Sequence, residues 1–338
     1  MQLTKKEIED AKKELENKDP IIEEKIEEDV KIGEVYELLL EILKRYCDLE
    51  ERYYSLIALW IIGTYMHESF PTYPYLFFNA MKGSGKSRIL RLITTLAKDG
   101  CMLNSLTEAV LFRTTGTLGI DEFEGLNRKG KESLNELLNS AYKKGIKVKR
   151  MKKVKSFTGE DQIVEEFSVY RPVVLANISG MDSVLNDRCI TIVLNKSNRP
   201  LITKMVELYE EDEQIQCSKK LLHHFSKEQC SSAVCKTMYK AWNTYITNYY
   251  TQHLLHTTTS TTLNYTESEL HLSLFNKINN AGIDGRNLEI VMALLIIANM
   301  LNDDVFNQLL ETLGGIVEDK KRDDVVENLD ISLLDFIS

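Results

Sequence analysis

The chain has 338 residues, 43% hydrophobic and 28% charged, with a net charge of −9. That length suggests about two domains with real cores, and the composition is that of an ordinary soluble globular protein. The apolar runs Leu56–Gly63 and Ile290–Met300 are too short to cross a bilayer, which argues against a membrane partner, and the Lys- and Glu-rich start is not a secretory signal. Six cysteines at irregular spacing, without a CxxC pair, point to reduced thiols and a cytoplasmic location.

In chain order, residues 1–45 carry Ile21, Ile22, Ile26, Val30 and Ile32 at helical spacing among Glu and Lys. They predict one or two solvent-facing helices, broken near Pro20 and Gly33. Residues 48–67 predict a more hydrophobic helix that packs through Leu56, Leu59, Trp60 and Gly63, ended by Phe70-Pro71 and Pro74. From 75 to 195, strands predicted at 75–79, 101–104, 117–121, 173–177 and 189–194 alternate with helices at 86–98, 107–114 and 131–142. That alternation implies a parallel sheet covered on both faces. After Pro200 helical segments dominate. His256 to Thr266 is Thr/Ser-rich and reads as a mobile loop. Asp323 to Ser338 ends without a clear terminal signal, compatible with a truncated chain. The expected division is an N-terminal helical segment 1–47, an α/β core 48–199 with a basic hairpin, and a C-terminal helical, lid-like region 200–338.

The most informative stretch runs from Tyr75 to Ser87. A buried strand leads into Ala80-Met81-Lys82-Gly83-Ser84-Gly85-Lys86-Ser87, and a helix follows. That is the context of a phosphate-binding P-loop. Gly83 and Gly85 let successive N–H groups turn inward as an anion nest, to which Ser84 contributes. Lys86 is placed for the β and γ phosphates of a nucleoside triphosphate, and the Ser87 hydroxyl for Mg²⁺. Ala80 replaces the first glycine of the strict pattern and leaves the nest intact. An ordinary glycine turn before a helix would explain the glycines but not Lys-Ser at the helix start.

Three later elements extend this site. Thr117-Leu118-Gly119-Ile120-Asp121-Glu122 is a short strand ending in two acids, about 35 residues beyond Lys86. Asp121 is expected in the Mg²⁺ shell and Glu122 as the group that polarises the attacking water; the competing role is capping of a helix start. Val173 to Asn177 is an apolar strand ending in an amide, so Asn177 is expected near the γ-phosphate, holding that water; the alternative is a simple strand-terminating Asn. Arg188 opens the next strand and is a candidate arginine finger for a neighbouring subunit, against a plain Asp187–Arg188 ion pair. Arg286 is a weaker candidate and reads better as a helix-start charge.

Lys143 to Lys155 carries only positive charge, and Ile146 and Val148 alternate with Lys147 and Lys149. This predicts an exposed β-ribbon that presents Lys147, Lys149, Arg150, Lys152 and Lys153 to a nucleic-acid backbone. A turn is expected over Ser156 to Gln162, and Tyr142 and Phe157 are candidates for base stacking. The competing reading is a charged face that protects an edge strand. Cys217, His223, His224, Cys230 and Cys235 fit no usual zinc spacing, so buried thiols and surface histidines are expected there.

Taken together, Gly83-Ser84-Gly85-Lys86-Ser87, Ile120-Asp121-Glu122, Leu138 to Gly145, Arg171-Pro172 and Asp187-Arg188-Cys189, with Ala58-Leu59-Trp60 upstream, resemble the AAA+ ATPases, most of all superfamily 3 helicases. The pattern is most similar to an ATPase module of phages, plasmids and other mobile elements that is often joined to primases. The resemblance covers about 48–196 and, more loosely, Gly285 to Ala298. It implies an α/β P-loop NTPase fold with a parallel central sheet, a helical lid, ATP and Mg²⁺ as ligands, and self-association into a ring. It places Lys86, Ser87, Asp121, Glu122 and Asn177 in one subunit, with Arg188 reaching from the next. Single-stranded or forked DNA and a primase or other replication partner are the implied partners. The expected activity is ATP-driven DNA unwinding or translocation. A nucleotide-dependent assembly or regulatory ATPase without unwinding is the main alternative, and a small-molecule kinase fits less well because it needs no water-orienting Glu122 and Asn177.

Overall fold

A computed structural model describes residues 31–103, 107–121, 132–156, 159–178, 181, 183–228, 232–254 and 269–337. Helix α1, Ile32–Tyr46, buries Val35, Tyr36, Leu39, Ile42, Leu43 and Tyr46, the one-sided stripe of an amphipathic helix. Its apolar face is covered, so it is not a freely solvated helix as its charge suggested. Gly33 lies inside its first turn rather than breaking it. Pro20 and the upstream apolar positions lie outside the described residues.

Helix α2, Glu51–Thr64, is buried over nearly its whole length because apolar residues occupy every face. It packs against α1 and against two long C-terminal helices, α11 (Gly285–Leu301) and α12 (Asp303–Ile337). The Trp60 indole N–H donates to Pro74 O at 2.8 Å, and Tyr73 Oη donates to Trp60 O at 2.6 Å. These bonds satisfy buried polar groups and fix the point at which the chain enters the first strand. Burial pushes the Tyr73 and Tyr75 hydroxyls well above their ordinary range, so both remain neutral donors.

The sheet has five parallel strands in the order β2-β3-β6-β1-β7. They are β1 (Tyr75–Ala80), β2 (Cys101–Leu103), β3 (Leu118–Ile120), β6 (Val173–Asn177) and β7 (Cys189–Leu194). Leu76-Phe77-Phe78 and Val173-Val174-Leu175-Ala176 are buried without alternation, as expected of strands covered on both faces. The fold is therefore α/β with a parallel sheet, and the strand boundaries fall within a residue or two of the sequence expectation. Between β3 and β6, β4 (Lys147–Ser156) and β5 (Gly159–Ser168) form a separate antiparallel hairpin. Gly159 to Gln162 belong to a strand, not to the turn expected over Ser156 to Gln162; the hairpin closes more tightly because each strand pairs over ten residues.

Sheet order determines where a ligand can enter. From β1 the chain crosses through α3 (Lys86–Leu96) to β2 at one end of the sheet, whereas β6 leads to β7 on the other side of β1. The connections leaving neighbouring strands β1 and β6 thus part in opposite directions. Such a switch point opens a crevice at the carboxyl ends of those strands.

Helix α3 packs on β6, β3 and β2. Gly119 of β3 permits this, because a Cβ there would fall well inside contact distance of Thr94 Cγ2 on α3. Thr94 cannot swing away, since its hydroxyl donates to Leu90 O at 2.8 Å. Gly119→Ala is therefore expected to destabilise the protein by about 1–3 kcal/mol. Adding Thr94→Ser, which removes the obstructing methyl and keeps the hydroxyl, recovers most of that loss. Urea or thermal unfolding checks both, and a Gly119→Ala chain as stable as wild type would show that helix and strand do not touch there.

Candidate functional site

The loop between β1 and α3 is closed by Ser84 N donating to Met81 O at 3.2 Å. Gly83 and Gly85 adopt φ of 79° and 87°, the left-handed region that glycine enters without a Cβ penalty. Gly85 is also the N-cap of α3, and no side chain caps this helix start. The first N–H groups of the helix therefore keep their donors for another acceptor, with the positive end of the helix dipole behind them. Ala80 is the buried last residue of β1, and it sets the loop directly on the carboxyl edge of the sheet.

Two side chains from this helix start converge on one carboxylate. Ser87 Oγ donates to Asp121 Oδ2 at 2.5 Å, and Lys86 Nζ lies 3.1 Å from Asp121 Oδ1. Asp121 follows β3, so the contact spans the crevice across the end of β6. Lys86 and Asp121 side chains are only 12% and 11% exposed, so their charges act at lower effective dielectric than surface groups. At the end of β6, Asn177 sits in register with Asn79 of β1 and is nearly buried. Its Oδ1 accepts from Ile178 N at 2.6 Å. Thus Lys86, Ser87, Asp121 and Asn177 gather at one edge. Glu122 lies outside the described residues.

A cavity of about 730 Å³ opens over this loop. Met81 to Ile89 line one wall. Tyr46, Cys47, Asp48 and Leu49, which end α1 and lead to α2, line another, while Leu194 at the end of β7 and Ser197, Ile202, Thr203 and Glu207 beyond it close a third. These second and third walls were not legible in the sequence, since they come from segments with no motif of their own. Arg88 was the one available signal, standing directly after Ser87. Its guanidinium donates to Met205 O at 2.7 Å and to Ile202 O, and pairs with Glu207 at 3.1 Å, so the helix that carries Lys86 is bolted to the 202–207 wall. Burial pushes the Cys47 thiol up to about 12.

Arg188 is elsewhere within the chain. It precedes β7 and so stands at the amino edge of the sheet, where Nε donates to Asn139 O at 2.9 Å. Tyr142 lies between two guanidinium groups, Arg188 at 5.4 Å and Arg286 at 5.1 Å from its ring centroid. That arrangement removes Tyr142 from the base-stacking candidates, because its ring is 4% exposed and engaged with the arginines. Phe157 lies outside the described residues. Arg286 also pairs with Glu289 at 2.6 Å, as a helix-start charge would.

The hairpin is less cationic than β4 suggests. The sequence of β4 holds six cations and that of β5 four carboxylates. Glu166 takes Lys147 at 3.0 Å and Lys149 at 3.4 Å, and these two ammonium groups, Lys147 first, hold its carboxyl below the usual carboxylate range. Arg150 pairs with Glu108 at 2.5 Å and lies over the Phe112 ring, which in turn stacks on Phe167 of β5. The backbones of Lys152 and Lys153 pair with Ile163 and Gln162. His223 meets the Tyr65 ring edge-on, and Cys230 lies outside the described residues, as do His256 to Thr266.

Fold and site together define an α/β protein whose open parallel sheet carries a glycine-lined, cationic site at its carboxyl edge. The chain matches no protein-family model and no curated protein. Two solved apo structures of the NrS-1 C-terminal region are similar in part. One match covers 62% of this chain and 47% of that one, at 16% identity and a TM-score of 0.33. The other, to residues 305–718 of that region, covers 83% and 69%, at 13% identity and a TM-score of 0.29. The chain spans about half the length of the first of these.

Releasing the hairpin's internal pairs tests its charge balance. Glu166→Gln frees Lys147 and Lys149 and is expected to elute from a heparin column at higher salt than wild type. Lys147→Glu with Lys149→Glu should elute earlier. Identical elution of all three would show that this strand pair does not meet polyanions.

Proposed function

We propose that this chain is a Mg²⁺-dependent nucleoside triphosphatase of the P-loop, AAA+-like kind, and that it spends hydrolysis on moving or remodelling nucleic acid, most specifically DNA of a virus or mobile element. One observation carries the reading. Lys86 and Ser87, at the uncapped start of α3, meet the Asp121 carboxylate across the switch point of a parallel sheet.

The residues present fit a bound triphosphate and its metal. Ser84 Oγ is buried and has no hydrogen-bond partner among the described residues, an acceptor or donor left for a ligand. The two left-handed glycines aim the loop backbone at one concavity, and the helix start supplies further N–H donors. Mg²⁺ would be held by Ser87 and Asp121 and would neutralise charge on the β and γ phosphates.

The Lys86 ammonium is paired with Asp121. A triphosphate in the loop offers it a denser charge, so Lys86 would turn to the phosphates and leave the carboxylate for the metal shell. Asn177, at the end of the strand between them, would orient a water. Glu122, adjacent in sequence to Asp121, would polarise that water for in-line attack on the γ-phosphorus. The Arg88 anchor would carry movement of α3 to the wall at 202–207. A ring of such subunits would let Arg188, at the far edge of the sheet, serve a neighbour's site. A primase or other replication protein is the proposed partner.

A second reading has its own support. Because Glu166 is shared by Lys147 and Lys149 and Glu108 pairs with Arg150, two of these three positive charges are offset, and the hairpin is a weaker polyanion surface than its sequence implies. That favours a nucleotide-driven assembly or regulatory ATPase that does not unwind DNA.

Lys86→Ala is expected to lower ATP turnover by about 100-fold or more, and Glu122→Gln to bind ATP yet hydrolyse it slowly. Steady-state ATPase assays measure both, and full turnover by Lys86→Ala would remove the site. The same assay with and without single-stranded DNA, beside a native mass, separates the two readings. Stimulation in a multimer supports the DNA motor, and an unstimulated rate supports the regulatory ATPase.

A further inference from the structure

We infer that Lys196 is a second phosphate-binding ammonium, delivered to the glycine loop from the opposite side to Asp121; this rests on the triphosphate reading above. The register between β1 and β7 puts Ala80 beside Leu194, so the two strands end level. The loop from Met81 and the segment from Asn195 therefore leave the same edge side by side. Lys196 Cε lies 3.7 Å from the point where a Cβ on Gly83 would sit, directly against the left-handed turn of the loop. A Cβ at position 83 would be in ordinary van der Waals contact with the lysine stem, so the left-handed φ is what calls for glycine there.

The backbone that presents Lys196 is pinned. Ser197 Oγ donates to Asp48 Oδ2 at 2.7 Å, and Arg199 pairs with Asp48 Oδ1 at 3.3 Å. Asp48 and Ser197 both line the cavity above the loop. Asp48 is thus satisfied by Ser197 and Arg199, while Lys196 is exposed and makes no ion pair among the described residues. Lys86 starts from a carboxylate partner that it must give up, whereas Lys196 has no such bond to break. A triphosphate carries several negative charges in a confined loop, and a single ammonium balances only part of them. Lys196 supplies a point charge on a flexible stem, suited to phosphate oxygens from the side of β7.

The test measures binding of a non-hydrolysable ATP analogue and of ADP to the full chain by calorimetry, for wild type, Lys86→Ala, Lys196→Ala and Lys196→Arg. Lys196→Ala is expected to weaken binding about 10- to 100-fold, the range for losing one hydrogen bond to a charged group. It should also lower the salt dependence of binding, while its melting temperature stays that of wild type. Lys196→Arg, which keeps the charge, restores most of the affinity. Wild-type affinity in Lys196→Ala, with Lys86→Ala impaired, overturns the role of Lys196 and leaves the triphosphate reading standing. No nucleotide binding by the wild-type chain overturns both.

Discussion

The site depends on one carboxylate reaching two residues that start a helix on another part of the sheet. Asp121 directly follows β3, Lys86 and Ser87 begin α3, and β6 lies between β3 and the strand that feeds the helix. Two strand spacings, roughly 10 Å, would separate the acid from the loop if α3 ran straight on from β1. Instead α3 lies across β6 and β3, and Gly119 lets it settle close to the sheet beside Thr94. The convergence is a packing result. It costs a strand its side chain and places a serine, an ammonium and a carboxylate within bonding distance.

Charge is distributed to match. The chain as a whole is acidic, with a net charge of −9. Around the glycine loop, however, Lys196 approaches Gly83 and Lys86 pairs with Asp121. At the hairpin, Glu166 pairs with Lys147 and Lys149, and Glu108 with Arg150. Exposed pairs such as Lys147–Glu166 are individually weak.

The helical frame ties this site to the rest of the molecule. Arg45 and Tyr46, at the end of α1, bond Asp212 at 2.5 and 2.6 Å, while Arg88 and Arg91 of α3 reach Glu207, at 3.1 and 3.9 Å. The segment from 195 to 212 is thus laced to both helices that border the cavity. Buried α2 packs against α1, α11 and α12.

Much of this was legible in the sequence because it depends on local chemistry. Two glycines before Lys-Ser, the apolar runs of β1 and β6, and an acid closing a short strand each declare their geometry through backbone preference and hydrophobic period. The parallel sheet followed from the alternation of such elements. Other features depend on which residues meet across long separations, and no period encodes that. Glu166 lies opposite Lys149 only through the hairpin register, and Tyr142 is enclosed by arginines 46 and 144 residues away in sequence. The far walls of the cavity come from Tyr46 to Leu49 and from Ser197 to Glu207, segments that are unremarkable by themselves. Sequence alone determined the glycine loop and the strands; tertiary packing decided what faces them, because side-chain neighbours are set by strand order and helix crossing rather than by adjacency along the chain.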